Sequence, residues 1–123
     1  MTKAETALVE LTEISSQVEA AVLFNRDGAV AASTLSDEAA ARLASSARAL
    51  LEAAEQMRKG ELAQLEAATA EGSLFVVRDG NRLIAATAGP EPTAGLVFYD
   101  LKSSLRRAAE PEKPKRAKKS GSS

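Results

Sequence analysis

The chain contains no cysteine and no histidine among its 123 residues. The first absence excludes a disulfide framework and a thiol nucleophile. The second excludes catalysis by a His–Ser or His–Cys pair. A zinc site would have to rest on carboxylates alone, against the usual choice of nitrogen and sulfur ligands. No apolar run approaches the roughly 18 residues that span a bilayer. The start, Thr2-Lys3-Ala4-Glu5-Thr6, is polar and lacks the apolar core of a signal peptide. A cytoplasmic protein is expected, and the lack of cysteine is compatible with a reducing compartment. No Gly-rich loop ends in Gly-Lys-Ser/Thr, so the chain is not itself a P-loop nucleotidase. Asp27-Gly28 and Asp79-Gly80 lack the alternating acidic ligands of a calcium loop and read as hairpin turns. A non-enzyme with no cofactor and no metal is the expectation.

What is present fits one domain and a tail. A domain of this size buries roughly 65% of its unfolded surface, so one ordinary core is feasible without a staple. Residues 1–109 hold 11 Lys/Arg and 15 Asp/Glu, a net charge of −4. Residues 110–123 hold five and two, a net charge of +3. The domain is mildly acidic and so does not look like a nucleic-acid binder. The tail has no large apolar residue and is expected to be disordered. Its cluster Lys113-Pro114-Lys115-Arg116-Ala117-Lys118-Lys119 either solubilises the chain or adds salt-dependent attraction to an anionic surface. It has no interleaved aromatics for base stacking.

The element pattern is legible from the N-terminus. Thr2 and Glu5 have capping-box spacing, and Leu8, Leu11, Ile14 and Val18 recur at helical spacing. A helix ending near Ser15 or Ser16 is expected. Glu19 to Asn25 is nearly continuous in apolar residues, as a strand buried on both faces would be. Gly28 supplies the positive φ of a tight hairpin, and Ala29 to Ser33 is a second strand. Its alanines leave room for something close against it. Ser36 is a plausible N-cap for a long helix running to Lys59, with Asp37 and Glu38 in its first turn. Leu43, Ala47, Leu50, Leu51, Ala54 and Met57 trace one face of it, and Gly60 is placed as a left-handed stop. Leu62 to Thr69 is a weak strand with Leu65, Ala67 and Thr69 on one face. Leu74-Phe75-Val76-Val77 is a strong strand. Asp79-Gly80-Asn81 is a turn, and Leu83 to Thr87 closes the meander. Leu96 to Ala109 reads as a last helix, with Phe98, Leu101, Leu105 and Ala108 on one face.

The resulting order is α-β-β-α-β-β-β-α, an α+β chain. That order resembles the Roadblock/dynein-light-chain domain over about Thr2 to Ala109. The carrying segments are Ala21 to Ser33, with its Asp-Gly turn and closing serine, Leu74 to Gly80, and Gly95-Leu96-Val97-Phe98-Tyr99-Asp100-Leu101 leading into the last helix. The resemblance implies a five-stranded antiparallel sheet with helices on both faces. It also implies a homodimer formed through the second helix and the edge strand after it. Bacterial members include the gliding-motility regulator, which activates a small Ras-like GTPase. Other relatives are light chains or scaffold subunits. The chain is therefore expected to be a non-catalytic homodimeric regulator or scaffold for a Ras-like GTPase. A structural interaction subunit with no GTPase partner is the alternative.

Two groups of residues matter to that reading. Leu43, Ala47, Leu50, Leu51 and Ala54, with Leu62 and Leu65 on the following strand, are the expected dimer interface. The helix residues serve equally as internal core, or as both. A free strand edge there would be hidden by pairing across the dimer. Arg42, Arg48 and Arg58 are candidate partner contacts. They read either as a solvated helix face or as arginine fingers, and the resemblance speaks against a finger.

Overall fold

The computed structural model describes residues 2–58, 60 and 62–109. The expected tail, residues 110–123, lies outside the described residues, as do Lys59 and Glu61. Helix α1 spans Lys3–Ile14 and opens on the full capping box: the Glu5 N–H donates to the Thr2 hydroxyl, and the Thr2 N–H donates to the Glu5 carboxylate. Strands β1 (Val18–Asn25) and β2 (Val30–Ser33) follow, then α2 (Asp37–Arg58). Strands β3 (Gln64–Ala68), β4 (Ser73–Asp79) and β5 (Arg82–Ala88) precede α3 (Ala94–Ala109). The five strands form one sheet in the order β2-β1-β5-β4-β3, antiparallel at every pairing. The α+β fold expected from the sequence is the fold observed.

Each face of the sheet carries its own apolar layer. Ala21, Leu23, Phe75, Val77, Ile84 and Ala86 point toward α1 and α3, where they meet Leu8, Leu11, Val97, Leu101 and Leu105. Val22, Phe24, Val76, Leu83 and Ala85 point the other way, against Ala40, Ala44, Ala47 and Leu51 of α2. The alternation along β1 and β5 shows why those runs are almost entirely apolar: both faces are covered. Phe75 and Phe98 meet edge to face, with ring centroids 5.0 Å apart.

Two of the three hairpins turn on a glycine at positive φ. Gly28 has φ +96°, and the Asp27 carboxylate accepts the Ala29 N–H at 2.9 Å. Gly80 has φ +64° at the first central position of the turn joining Asp79 to Arg82. That is the position where a type II′ hairpin places its positive φ.

Four expectations are corrected. Val18 belongs to β1, not to the stripe of α1, and Ile14 is exposed. Ser15 takes an extended backbone and ends the helix, so the stripe that buries is Ala7, Leu8 and Leu11. On α2 the buried row is Ala40, Ala44, Ala47 and Leu51, and Met57 is fully outside it. Three of the four members of that row are alanines, whose small side chains let the helix lie close to the sheet. Gly60 does not enter the left-handed region; its N–H instead reaches the Glu55 carbonyl, five residues back, at 3.3 Å. Thr69 lies beyond β3 and is exposed.

Candidate interaction surface

Helix α2 lies over β1, β2 and β5. The β4–β3 end of the same sheet face extends past that footprint. In the antiparallel register Leu65 sits opposite Val76 and Ala67 opposite Leu74, so these side chains share the face that α2 occupies. Leu43, Leu62, Leu65 and Leu74 pack against the α2-side core yet remain only partly buried. Leu50 and Ala54 are also half-buried. Partly exposed apolar side chains thus stand on α2, on β3 and just before β3. Strand β3 is the last in the sheet, so among the described residues its outer backbone groups have no strand beside them.

The expected interface residues therefore fall into two sets. Leu43, Leu62 and Leu65 pack against the same core layer while partly exposed, and Leu50 and Ala54 are half-buried on α2. Ala47 and Leu51 are 0% and 4% exposed, so their surface is already used inside the protomer. Sequence spacing could not separate Leu50 from Leu51, because neighbours on a helix point about 100° apart and either could face in.

The junction between α2 and β3 is held by a charged bridge that the sequence reading missed. The Glu55 carboxylate lies 3.2 Å from the Arg78 guanidinium, and both side chains are largely buried. The same carboxylate accepts the Leu62 N–H at 2.9 Å. The Arg78 N–H donates to the Ala63 carbonyl at 2.8 Å. Leu62 and Ala63 are thereby tied to both α2 and β4 just before β3 begins. Arg78 breaks the apolar run of β4, and that charge in a strong strand was the available signal. A buried arginine needs a carboxylate nearby.

The arginines of α2 have different surroundings. Arg42 is exposed and lies 3.7 Å from Glu38 one turn earlier. Arg48 is half-buried: its Nε is out of water and meets no hydrogen-bond acceptor among the described residues. Its guanidinium lies under the β1–β2 hairpin, 2.9 Å from where a Cβ on Gly28 would stand. The side chain of Arg58 lies outside the described residues. No three acidic side chains come together to hold a metal among the described residues, and no described helix is long and apolar enough to cross a membrane.

Comparison with solved structures places the fold. A Roadblock/LC7 domain from Streptomyces avermitilis superposes with a TM-score of 0.74 at 22% identity, covering 83% of this chain and 91% of that one. MglB from Myxococcus xanthus gives 0.70 at 15% identity, covering 85% and 84%. The gliding protein MglB from Thermus thermophilus gives 0.67 at 19% identity, covering 87% and 86%. At these identities the likeness is one of fold. No curated protein matches the chain significantly. Residues 4–88 match the family model of the Roadblock/LC7 domain, and the chain belongs to that family.

Proposed function

We propose that this chain is a non-catalytic cytoplasmic module that pairs with a second copy through α2 and β3 and presents the paired α2 surface to a small Ras-like GTPase. The observation that carries the reading is the set of half-buried apolar side chains Leu43, Leu50, Ala54, Leu62 and Leu65, together with the free edge of β3 among the described residues. A second copy would bury those side chains and pair the β3 backbone groups in one step. Glu55, itself paired with Arg78, accepts the Leu62 N–H and so ties Leu62 to α2. Membership of the Roadblock family supports the GTPase half, through the regulatory role that bacterial members have.

A partner that regulates a GTPase must contact its two nucleotide states differently. The test is binding of the full chain to Ras-like GTPases loaded with GDP or with a non-hydrolysable GTP analogue. Preference for one state is expected. If hydrolysis is stimulated, Arg42→Ala, Arg48→Ala and Arg58→Ala should each leave most of the stimulation in place. A lost arginine finger would instead remove about 10³–10⁵-fold of turnover. Arg48 in particular is folded against the hairpin rather than extended from it. Failure to bind any GTPase in either state would favour the structural-subunit alternative.

A further inference from the structure

The sheet has a second free edge, at the opposite end from β3. Among the described residues, strand β2 pairs with β1 alone. The Thr34 N–H donates to the Ala21 carbonyl at 3.0 Å, and Ala32 is the register partner of Leu23. Main-chain groups alternate sides along a strand, so the N–H and C=O of Ser33 between them turn away from β1. The bulge in this pairing lies at the hairpin end, between Leu23 and Phe24, and leaves the Ala32–Thr34 end regular. Edge strands that must stay unpaired usually carry lysine or proline. Val30-Ala31-Ala32-Ser33 carries neither, nor any charge.

A cavity of about 370 Å³ opens beside that same end of β2, between it and Glu5, Leu8, Val9 and Thr12 of α1. Val9 is 41% exposed, so apolar surface stands on the helix side of this cavity. The charge of the helix wall is one-sided. Helix α1 carries three glutamates and one lysine. Glu10 is held by Arg107 on α3 at 3.0 Å, while Glu5 lines the cavity and Glu13 stands one turn beyond Val9. A free backbone edge, an apolar helix wall alongside it and the Glu5 carboxylate, which also closes the α1 capping box, specify what fits.

We infer that this α1–β2 groove takes an extended segment of another protein, added as a sixth strand next to β2. Its alternate side chains are apolar and face Val9 and Leu8, and it carries a lysine or arginine to meet Glu5. Main-chain bonds to Ser33 supply register, and the pocket along α1 supplies selectivity. The site is at the opposite edge of the sheet from β3 and on the opposite face from α2, and does not depend on the GTPase reading.

The test selects binders to the full chain from a phage-displayed library of random dodecapeptides. The enriched peptide is then synthesised and titrated into the chain. Enriched peptides should alternate apolar and basic residues. Binding should slow amide exchange at Ser33. Val9→Lys, an exposed position, should weaken binding at least about tenfold, equivalent to about 1.4 kcal/mol. N-methylation of alternate peptide residues should do the same in one register and little in the other, which side-chain docking without strand pairing would not show. Leu50→Glu, which acts on the other surface, should leave the affinity unchanged. An empty selection, binding that maps to α2 or β3, or equal effects of N-methylation in both registers would overturn the inference. So would a marked gain in affinity when the chain is cut after Ala109, which would make the tail the occupant. Self-association through β2, abolished by Val9→Lys, would put a second copy there instead.

Discussion

Gly28 and Gly80 both hold positive φ, yet they stand in different surroundings. An added Cβ at Gly80 meets nothing within 4 Å, whereas at Gly28 it would press on the Arg48 guanidinium at 2.9 Å. Alanine at either site should cost about 1–2 kcal/mol for the left-handed backbone alone. The guanidinium is the end of a flexible side chain and can swing aside, so the steric part is smaller than the backbone part. It is nevertheless separable. In urea titrations, Gly28→Ala combined with Arg48→Ala should depart from additivity by about 0.5 kcal/mol or more, as contacting residues do. The pairing of Gly80→Ala with Arg48→Ala should be additive. Equal behaviour of the two pairs would mean that Arg48 does not rest on the hairpin in solution. The hairpin glycine was legible from Asp27-Gly28 alone. Its arginine neighbour was not, because it comes from another element and nothing local to either residue marks the contact.

At the scale of the element, α2 shows what a hydrophobic pattern conveys and what it omits. A long helix was evident from Ser36 onward, since alanine favours helix and Asp37 and Glu38 suit its first turn. Which side faced the sheet was not. Leucines were the larger signal, but burial selected Ala40, Ala44 and Ala47, with Leu51 as the one large member of the row. Helix α1 erred in the opposite way: Val18 kept helical spacing after the helix had ended at Ser15. Order and type of the elements were readable because period and turn residues are local. Facing and the Glu55–Arg78 bridge were not, because they are set by packing between elements. The adjacent leucines give a sharp test. Leu51→Ala should lower protomer stability by about 2–5 kcal/mol through the cavity it leaves. Leu50→Glu should cost the protomer about 1 kcal/mol or less, yet weaken self-association, because a charge without a partner would enter the interface. Urea unfolding at low concentration reads the first quantity and sedimentation at tens of micromolar, a range where weak interfaces still associate, reads the second. A wild-type monomer under those sedimentation conditions would remove the proposed dimer. A dimer indifferent to Leu50→Glu would move its interface elsewhere.

At the scale of the whole molecule, the described domain closes on itself before the basic tail begins. Ala108 is buried against the α1–α3 layer, and its carbonyl accepts the Arg82 guanidinium at 2.9 Å. Arg107 reaches Glu10 at 3.0 Å, and the Ser104 hydroxyl donates to the Ala7 carbonyl. These bonds hold the last turns of α3 without calling on residues 110–123. The proposal that follows is a domain of residues 1–109 that folds independently of the tail. A chain ending at Ala109 should keep its thermal midpoint within about 2 °C, since 1 kcal/mol corresponds to about 4–8 °C at this size. What changes is charge, because removing the tail's +3 leaves a domain of −4. Binding to vesicles containing anionic lipid should then be strongest for the full chain at low salt. It should weaken as salt rises and vanish on truncation, because screening acts on exposed charges over about 10 Å at 0.1 M. Equal vesicle binding with and without the tail would leave it as a solubilising extension. A fall of many degrees in the midpoint would instead show that the tail packs on the domain and that the boundary at residue 109 is misplaced.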